Sequence, residues 1–342
     1  MAAPSGPTTR SDTTQSEKAV LNDPSAGWLR PFGQTGITAS AICMGGAQLG
    51  SMPELFGYEV TEDAAIDLVR QVMDSPIRFL DTSNGYGGGR SEERIGQAIA
   101  QHGGLPDDFI ISTKVDALDG DYSGDRVRTS VRESMQRLGI GRLPIVYLHD
   151  PEFHSFDQLT APGGAVDSLV ALRDAGEIGH IGVAGGDTRE ISRYVDLGVF
   201  DALLVHNRWT LVDRSAGPLF DQAAAAGMAV VNAAVYGGGL LTPGGGNGNY
   251  AYRPAPPAVR DAAQAMNDVC TWWGTDLATA ALHFSLRDRR VTATVTGFTK
   301  VSTMTRTLNS LDADLLPAFW DELESLVPAP EHWLDNNPPI VW

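Results

Sequence analysis

Hydrophobic residues along the chain fall into two alternating patterns. Short runs rich in Val, Ile, Leu and Ala alternate with longer stretches in which apolar residues recur every three or four positions. The short runs predict β-strands, and the longer stretches predict amphipathic helices. Eight strands are predicted, at residues 39–44, 77–81, 109–114, 145–149, 180–183, 202–206, 228–233 and 291–296.

The helical pattern occupies the intervals between these strands, at residues 61–73, 91–102, 125–138, 163–175, 188–197, 218–226 and 276–286. Ser91, Asp125, Thr188 and Asp276 are residue types that cap helix N-termini. Glycines stand where several of these helices should end, at Gly139, Gly176, Gly198 and Gly227. Further helices are predicted at residues 258–273 and 316–326, and a β-hairpin is predicted within residues 28–40.

The repeating strand and helix pattern, with a period of about 30 residues, predicts a (β/α)8 TIM barrel of the α/β class. We expect a single domain over residues 28–342, with an N-terminal hairpin and extra C-terminal helices. A doubly wound open sheet would give the same alternation and is the structural alternative. Residues 242–257 are rich in Gly and Pro and predict a long loop. Residues 1–27 are rich in Ser, Thr and Pro without an apolar run, which predicts a disordered tail rather than a secretion signal.

Composition and charge exclude several classes of partner. The net charge of −17 disfavours binding to nucleic acid or to anionic membranes. No run approaches the roughly 20 apolar residues that span a bilayer. Cys43 and Cys270 lie far apart without metal-ligand spacing, which predicts two buried thiols, no metal and a cytoplasmic location. The expected partner is a small molecule, and the sequence is compatible with a homo-oligomer.

Polar residues end three successive predicted strands. They are Asp81, Lys114 and His149, and Tyr86 follows Asp81 within the glycine-rich stretch FLDTSNGYGGGRSEERIG. This stretch lacks the lysine of a P-loop and a clean G-x-G-x-x-G spacing, which argues against a phosphate cradle. Each residue alone has an ordinary structural explanation, such as a cap or a core histidine. Because the carboxyl ends of barrel strands form one face, we expect all four to meet there.

The four residue types suit proton transfer to or from a carbonyl or hydroxyl oxygen. The ammonium of Lys114 is expected to lower the pKa of Tyr86, whose phenol would ordinarily titrate near 10. Asp81 would keep Lys114 charged, and His149 would bind the same substrate oxygen. A site that moves a proton in this way needs a hydride donor or acceptor, which implies a nicotinamide cofactor.

The stretch DTSNGYGGGRSEERIG resembles the DT-x-x-x-YG-x-G-x-SE-x-x-IG motif of the aldo-keto reductases, a resemblance that covers residues 28–326. The catalytic Asp, Tyr, Lys and His of that family fall on Asp81, Tyr86, Lys114 and His149. The stretches YLHDPE, HIGVAGG and LVHNRWTLVD are most similar to its sugar 1-dehydrogenase branch, typified by L-fucose dehydrogenase and D-threo-aldose 1-dehydrogenase. This branch oxidises C1 of an aldose to a lactone with NAD or NADP. An aldehyde reductase, a pyridoxal dehydrogenase and a nicotinamide-sensing regulatory subunit are the alternatives.

The resemblance also implies a cofactor that lies across the strand ends. Its contacts would come from Gly46, Ala47, Asn207, Gly237, Gly238, Gly239, Gly297, Thr299, Lys300 and Thr303. The chain departs from many relatives at two places. Ala184 and Gly185 replace a Ser-Asn pair, and Ala233 replaces a tyrosine that stacks on the nicotinamide. Lys300 and Arg306 are the cations near the expected 2′-phosphate position, so the choice between NAD and NADP stays open.

Substrate contacts are expected from polar and aromatic residues on the strand-end loops. A sugar pocket needs partners for hydroxyl groups and an aromatic face for C–H groups. The candidates are Asp150, His154, Trp209, Tyr236, Tyr250, Tyr252 and Arg253. Asp150 and Trp209 follow strand ends directly, and we predict that these two bind the substrate.

Overall fold

A closed barrel of eight parallel strands forms the centre of the molecule. The computed structural model describes residues 27–336, so the predicted tail at residues 1–27 lies, except for Gly27, outside the described residues. The barrel strands are β3 (Ile42–Gly45), β4 (Phe79–Asp81), β5 (Ile110–Val115), β6 (Leu143–His149), β7 (Ile178–Gly185), β8 (Ala202–His206), β9 (Ala229–Ala233) and β12 (Val291–Gly297). Two separate hairpins are formed by β1 (Leu29–Pro31) with β2 (Thr38–Ser40), and by β10 (Asn249–Tyr250) with β11 (Arg253–Pro254). The barrel order is β12-β3-β4-β5-β6-β7-β8-β9. The predicted (β/α)8 barrel is confirmed, and the open sheet is wrong.

Helices surround the barrel and extend it at the C-terminal side. Within the described residues they span Pro53–Phe56, Glu62–Asp74, Arg90–His102, Gly124–Leu138, Phe156–Leu159, Ala165–Asp174, Thr188–Val195, Gly217–Ala225, Pro257–Trp272, Leu277–Leu286, Val301–Asn309 and Pro317–Glu324. Asp276 caps its helix as predicted, by accepting a hydrogen bond from the Thr279 amide. Two other caps lie one or two residues earlier than predicted, at Ser123 instead of Asp125 and at Asp187 instead of Thr188.

Three local predictions are wrong. The single strand predicted at residues 39–44 is divided, because residues 38–40 pair in a hairpin while residues 42–45 enter the barrel. The loop predicted at residues 242–257 contains the short β10–β11 hairpin, whose turn residues Ala251 and Tyr252 have φ values of 49° and 68°. Such a turn normally holds Gly or Asn, so the sequence carried no turn signal. Helix Val301–Asn309 was not predicted, since its Ser and Thr residues favour other structures.

The β1–β2 hairpin closes the amino-terminal end of the barrel. Phe32 is fully buried beneath the barrel strands, and its ring meets the Phe79 ring edge-on with centroids 5.7 Å apart. The next residue, Gly33, has a φ of 57°, and a Cβ there would lie 2.5 Å from the Ala229 amide nitrogen. Glycine is therefore needed for this close approach. The seal leaves the carboxyl ends of the strands as the open face, where barrels carry their active sites.

The described residues contain neither a membrane span nor a metal cluster. Within residues 27–336 there is no helix that combines the length and the apolar character needed to cross a bilayer. The same residues contain no cluster of three or more His, Cys, Asp or Glu side chains suited to a metal ion. Cys43 and Cys270 are buried free thiols, as predicted.

We expect Phe32→Ala to lower the free energy of unfolding by about 3–5 kcal/mol, because it leaves a cavity where the hairpin plugs the barrel. Leu29→Ala is the matched control. Leu29 lies on the same hairpin with 47% of its surface exposed, and its replacement should cost at most about 0.5 kcal/mol. Urea unfolding measures both values. Equal small losses would show that the hairpin contributes nothing to the barrel's stability.

Candidate active site

Lys114 is the centre of a buried polar cluster at the open end of the barrel. Only 1% of its side chain is exposed. Its Nζ donates to Asp81 Oδ2 at 2.5 Å, to the Thr82 carbonyl at 2.7 Å and to the Tyr86 hydroxyl at 3.1 Å. These three bonds use all three donors of an ammonium group. The Ser112 hydroxyl donates to Asp81 Oδ1 at 2.7 Å, so both oxygens of the carboxylate are engaged.

The glycine-rich turn brings Tyr86 to Lys114. Gly87 has a φ of 62°, and a Cβ there would lie 2.3 Å from the carbonyl oxygen of Gly50, so only glycine allows the turn to pack so closely. Ser91 is not the predicted N-cap, because the helix begins at Arg90 after Gly89. The Ser91 hydroxyl instead donates to the Gly46 carbonyl at 2.8 Å. This bond ties the Tyr86 turn to the segment that follows β3.

His149 reaches the same place from the end of β6. Its ring meets the Tyr86 ring edge-on at 5.7 Å, so the structure brings together all four residues that the sequence singled out. Its Nδ1 lies 2.5 Å from Oδ1 of Asp116, a residue that the sequence analysis missed. Asp116 follows Lys114 by two positions at the end of the same strand, and that spacing was the signal that could have revealed it.

The local electrostatics correct one expectation about Tyr86. Burial raises the pKa of Tyr86 above its ordinary value, and the charge of Lys114 only partly opposes this effect. The expected lowering is therefore wrong for the free protein, because the buried phenolate loses more hydration than one ammonium restores. Burial lowers the pKa of Lys114, but the charge of Asp81 and the phenol of Tyr86 outweigh it and raise the pKa overall. At neutral pH the cluster contains a phenol and an ammonium.

A cavity of about 310 Å³ opens above this cluster and is lined by Asp81, Tyr86, Lys114 and His149. One wall is formed by the segment after β3, with the side chains of Gln48, Leu55, Phe56 and Tyr58. Another wall is formed by the segment after β9, with Tyr236, Gly238, Gly239, Asn249 and Tyr252. The cavity is therefore a cleft with the polar cluster at its floor.

The predicted cofactor residues are distributed around this cleft. Gly46, Ala47, Gly238, Gly239 and Gly297 line it. Gly237 belongs to the same turn as Gly238 and Gly239, and Asn207 is fully buried directly after β8. Thr299, Lys300 and Thr303 lie outside the lining, at the start of helix Val301–Asn309.

The residues fit a polar dinucleotide. Buried polar atoms are nearly always hydrogen-bonded, yet Gln48 Oε1, Asn207 Oδ1 and Thr296 Oγ1 have no partner among the described residues. Of these three residues, Gln48 lines the cleft, where a ligand's amide or hydroxyl group could satisfy its oxygen. Gly238 and Gly239 line the cleft on a glycine turn, a type of segment that commonly approaches anions such as a pyrophosphate.

Of the two predicted substrate residues, the structure brings only Asp150 to the cleft. Its Oδ2 lies 3.8 Å from Nε2 of His149, and its Oδ1 lies 3.9 Å from Nε2 of His206. Trp209 points away, because the chain turns outward after β8 and its ring packs against Phe220 and Phe284 with centroids 5.6 and 5.5 Å away. Of the other candidates, Tyr236 and Tyr252 line the cleft, and His154, Tyr250 and Arg253 do not.

His206 is a further cleft residue that the sequence analysis missed. It ends β8 just as His149 ends β6, which was the available signal. Burial, with the nearby charge of Arg208, lowers the pKa of His206 to about 4. The cleft therefore contains a neutral imidazole at neutral pH. Its Nδ1 accepts from the side-chain amide of Asn207 at 3.0 Å, so Nε2 carries the proton and can donate one hydrogen bond to a ligand.

Comparison with known proteins adds a family-level result. The model of the Aldo/keto reductase family matches residues 41–328. L-galactose dehydrogenase of Arabidopsis thaliana is 31% identical over 279 residues, which cover 80% of this chain and 85% of that protein. Pyridoxal 4-dehydrogenase of Microbacterium luteolum is 29% identical, covering 86% of this chain and 96% of its own. D-threo-aldose 1-dehydrogenase of Pseudomonas sp is 26% identical, covering 86% and 97%.

Among solved structures, the holo form of aldo-keto reductase AKR11C1 from Bacillus halodurans superposes with a TM-score of 0.72. It is 20% identical in sequence and covers 90% of this chain and 98% of its own. At that identity the similarity shows the shared fold.

We expect the buried pair of Lys114 and Asp81 to be strongly coupled in stability. Lys114→Met and Asp81→Asn should each lower the free energy of unfolding, by about 3–5 kcal/mol for loss of one partner of a buried pair. The double variant should lose less than the sum, by about 0.5–3 kcal/mol, because neither charge is then left alone. Denaturant unfolding of the four proteins measures the coupling. Strictly additive losses would contradict the direct pairing.

Proposed function

The chain belongs to the aldo/keto reductase family, and we propose that within it this oxidoreductase is a NAD- or NADP-dependent aldose 1-dehydrogenase. The substrate would be a sugar of the L-fucose, L-galactose or D-threo-aldose type, oxidised at C1 to the lactone. Two of the relatives, L-galactose dehydrogenase and D-threo-aldose 1-dehydrogenase, support this choice by their names. The observation that carries the proposal is the hydrogen bond between Lys114 and Tyr86 on the floor of the cleft, beside His149.

Tyr86 would exchange the proton of the reaction. Lys114 donates to the Tyr86 oxygen, which leaves the phenolic proton free to point into the cleft. In reduction this proton passes to the carbonyl oxygen, and Lys114 stabilises the phenolate that remains. In oxidation the phenolate form of Tyr86, stabilised by Lys114, would accept the proton of the C1 hydroxyl. A nicotinamide bound in the cleft would supply or accept the hydride.

The glycine-lined parts of the cleft would hold the cofactor. Gly46 and Ala47 would contact it after β3, and Gly237, Gly238 and Gly239 would face the pyrophosphate after β9. Asn207 and Gly297 would contact it at the ends of β8 and β12. The adenosine end would reach Thr299, Lys300 and Thr303. Lys300 precedes helix Val301–Asn309 and Arg306 lies on it. Either cation would suit a 2′-phosphate, so NADP is compatible with the proposal.

Asp150 would bind a hydroxyl group of the sugar. Its carboxylate is 3.8 and 3.9 Å from the imidazoles of His149 and His206, gaps too long for direct hydrogen bonds. Asp150 Oδ1 has no partner among the described residues. A substrate hydroxyl can fill such a gap and donate to the carboxylate. Phe56 and Tyr58, which also line the cleft, would supply the apolar face for the sugar's C–H groups.

A second candidate function is oxidation of pyridoxal or reduction of another aldehyde. The similarity to pyridoxal 4-dehydrogenase, which spans 96% of that protein, favours it. The same proton exchange at Tyr86 would serve either substrate, so the two functions differ only in which substrate the cleft binds beside Tyr86. Initial rates with L-fucose, L-galactose, pyridoxal and a simple aromatic aldehyde separate them.

A panel of aldoses, each assayed with NAD⁺ and with NADP⁺, tests the proposal through the absorbance of the reduced cofactor. We expect L-fucose-type sugars to be among the best substrates. Tyr86→Phe should lower turnover by about 10³-fold or more, because the proton carrier is removed, while cofactor affinity changes little. Tyr58→Phe is the matched control, since Tyr58 also lines the cleft but lies away from Lys114.

Two outcomes of that panel would contradict the proposal. Faster turnover of pyridoxal than of every sugar would favour the second candidate. Tight cofactor retention without turnover of any substrate would indicate a sensing subunit instead.

We expect Asp150→Asn to lower kcat/KM for the best sugar by about 10–100-fold, because a charged acceptor for a buried hydroxyl contributes about 1.5–3 kcal/mol. An aromatic aldehyde without hydroxyl groups should lose less. Measurement at pH 6 keeps His149 charged in both proteins. Asp157→Asn, at an exposed position on helix Phe156–Leu159, is the control. Equal losses for sugar and aldehyde would show that Asp150 does not contact the sugar.

A further inference from the structure

We propose that Asp116 is a positioning residue of the reaction, which holds the proton of His149 on Nδ1 and thereby makes Nε2 the atom that meets the substrate oxygen. Nothing in the sequence motif includes Asp116. The inference deepens the proposed function, on which its catalytic consequence rests, while the hydrogen bond itself can be tested without any substrate.

Asp116 lies where three segments of the active site meet. It directly follows β5, which carries Lys114, and its Oδ1 is 2.5 Å from Nδ1 of His149 at the end of β6. Its Oδ2 accepts from the amide of Gly85 at 2.7 Å and from the hydroxyl of Ser83. The carboxylate therefore joins the turn that carries Tyr86 to the imidazole beside it.

The turn that carries Tyr86 packs closely against the Asp116 carboxylate. A Cβ placed on Gly85 would lie 3.0 Å from Cγ of Asp116, so the backbone approaches the carboxylate closely. The side chain of Asp116 is half-buried, with 20% of its surface exposed. Although desolvation raises its pKa, the charge of His149 and hydrogen bonds from His149, Ser83 and Gly85 lower the pKa overall. Asp116 is thus ionised at neutral pH and can only accept hydrogen bonds.

The acceptor-only character of Asp116 determines the state of His149. Because Nδ1 faces a carboxylate at 2.5 Å, Nδ1 must carry a proton. A neutral His149 would then have its lone pair on Nε2 and could not donate to a carbonyl oxygen. Only the imidazolium donates from both nitrogens. The geometry therefore requires the charged form of His149 for its role as a donor to the substrate oxygen.

The surroundings of His149 favour that charged form. The groups that face it are Asp116, Asp150, Lys114, Tyr86 and, across Asp150, His206. Burial lowers the pKa of His149, the carboxylates of Asp150 and Asp116 raise it, and Lys114 opposes them, with a net rise to about 9. Since the pKa is raised, the imidazolium predominates below about pH 9 and is lost above it. Without the charge of Asp116, the pKa of His149 should move towards the ordinary histidine value of about 6.5.

NMR of the ring nitrogens in the free, full-length protein tests the contact, with His149→Gln used for assignment. We expect the His149 signals to titrate near pH 9 and, above that pH, to show the proton on Nδ1 and none on Nε2. This arm needs neither a variant at Asp116 nor activity. A proton on Nε2 in the neutral form, or titration near 6.5, would overturn the proposal.

Asp116→Asn tests the consequence for the reaction. An amide still bonds Nδ1 but removes the charge, so the His149 titration should move down by at least one pH unit. The high-pH loss of kcat/KM for reduction of an aromatic aldehyde should move down by the same amount, while activity at pH 6 stays within about tenfold of the parent. Asp157→Asn should move neither.

The kinetic outcomes separate a positioning role from a structural one. An equal loss of activity at every pH, with the high-pH fall of kcat/KM at the same pH as in the parent, would show that Asp116 only supports the fold of the turn. That result would overturn the proposal. A protein that neither oxidises a sugar nor reduces a carbonyl compound would contradict the proposed function, whereas the nitrogen NMR result would still decide the contact between Asp116 and His149.

Discussion

The structure of the active site depends on satisfying one buried ammonium group. A lysine with 1% of its side chain exposed is costly unless every donor finds a partner and its charge is balanced. Lys114 meets this requirement with a carboxylate from β4, a backbone carbonyl after β4 and the phenol of Tyr86. Any other arrangement of these groups would leave a charge or a donor unpaired. The requirement for pairing therefore fixes the position of the residue that we propose to exchange the proton.

The barrel supplies the neighbours because its strands are parallel and in register. Asp81 of β4 pairs with Ser112 of β5, and Lys114 of β5 pairs with Tyr147 of β6, two residues before His149. Residues at the carboxyl ends of three adjacent strands thus lie side by side although they are more than thirty positions apart in sequence. The sealed lower end of the barrel, with Phe32 against Phe79, leaves this edge as the open one.

The sequence predicted the barrel and the meeting of Asp81, Tyr86, Lys114 and His149 at its open end, because strand periodicity and strand-end position are local signals. It failed where the result depends on contacts between distant segments. The pKa of Tyr86 depends on a balance between burial and charge that only the packed structure defines. Trp209 follows a strand end, but the chain's outward turn is set by the aromatic cluster it joins. Asp116 belongs to no motif, and its importance appears only once His149 is placed beside it.

The most direct test is a crystal structure of the protein with its oxidised nicotinamide cofactor, refined well enough to measure the distance from Lys114 Nζ to the Tyr86 hydroxyl. We expect that distance to stay near 3.1 Å and the distance from Nζ to Asp81 Oδ2 near 2.5 Å, with the cofactor ring in the cleft above them. A Tyr86 hydroxyl turned out of reach of Lys114, or a cofactor bound elsewhere, would contradict the central claim that one buried cation positions the proton carrier.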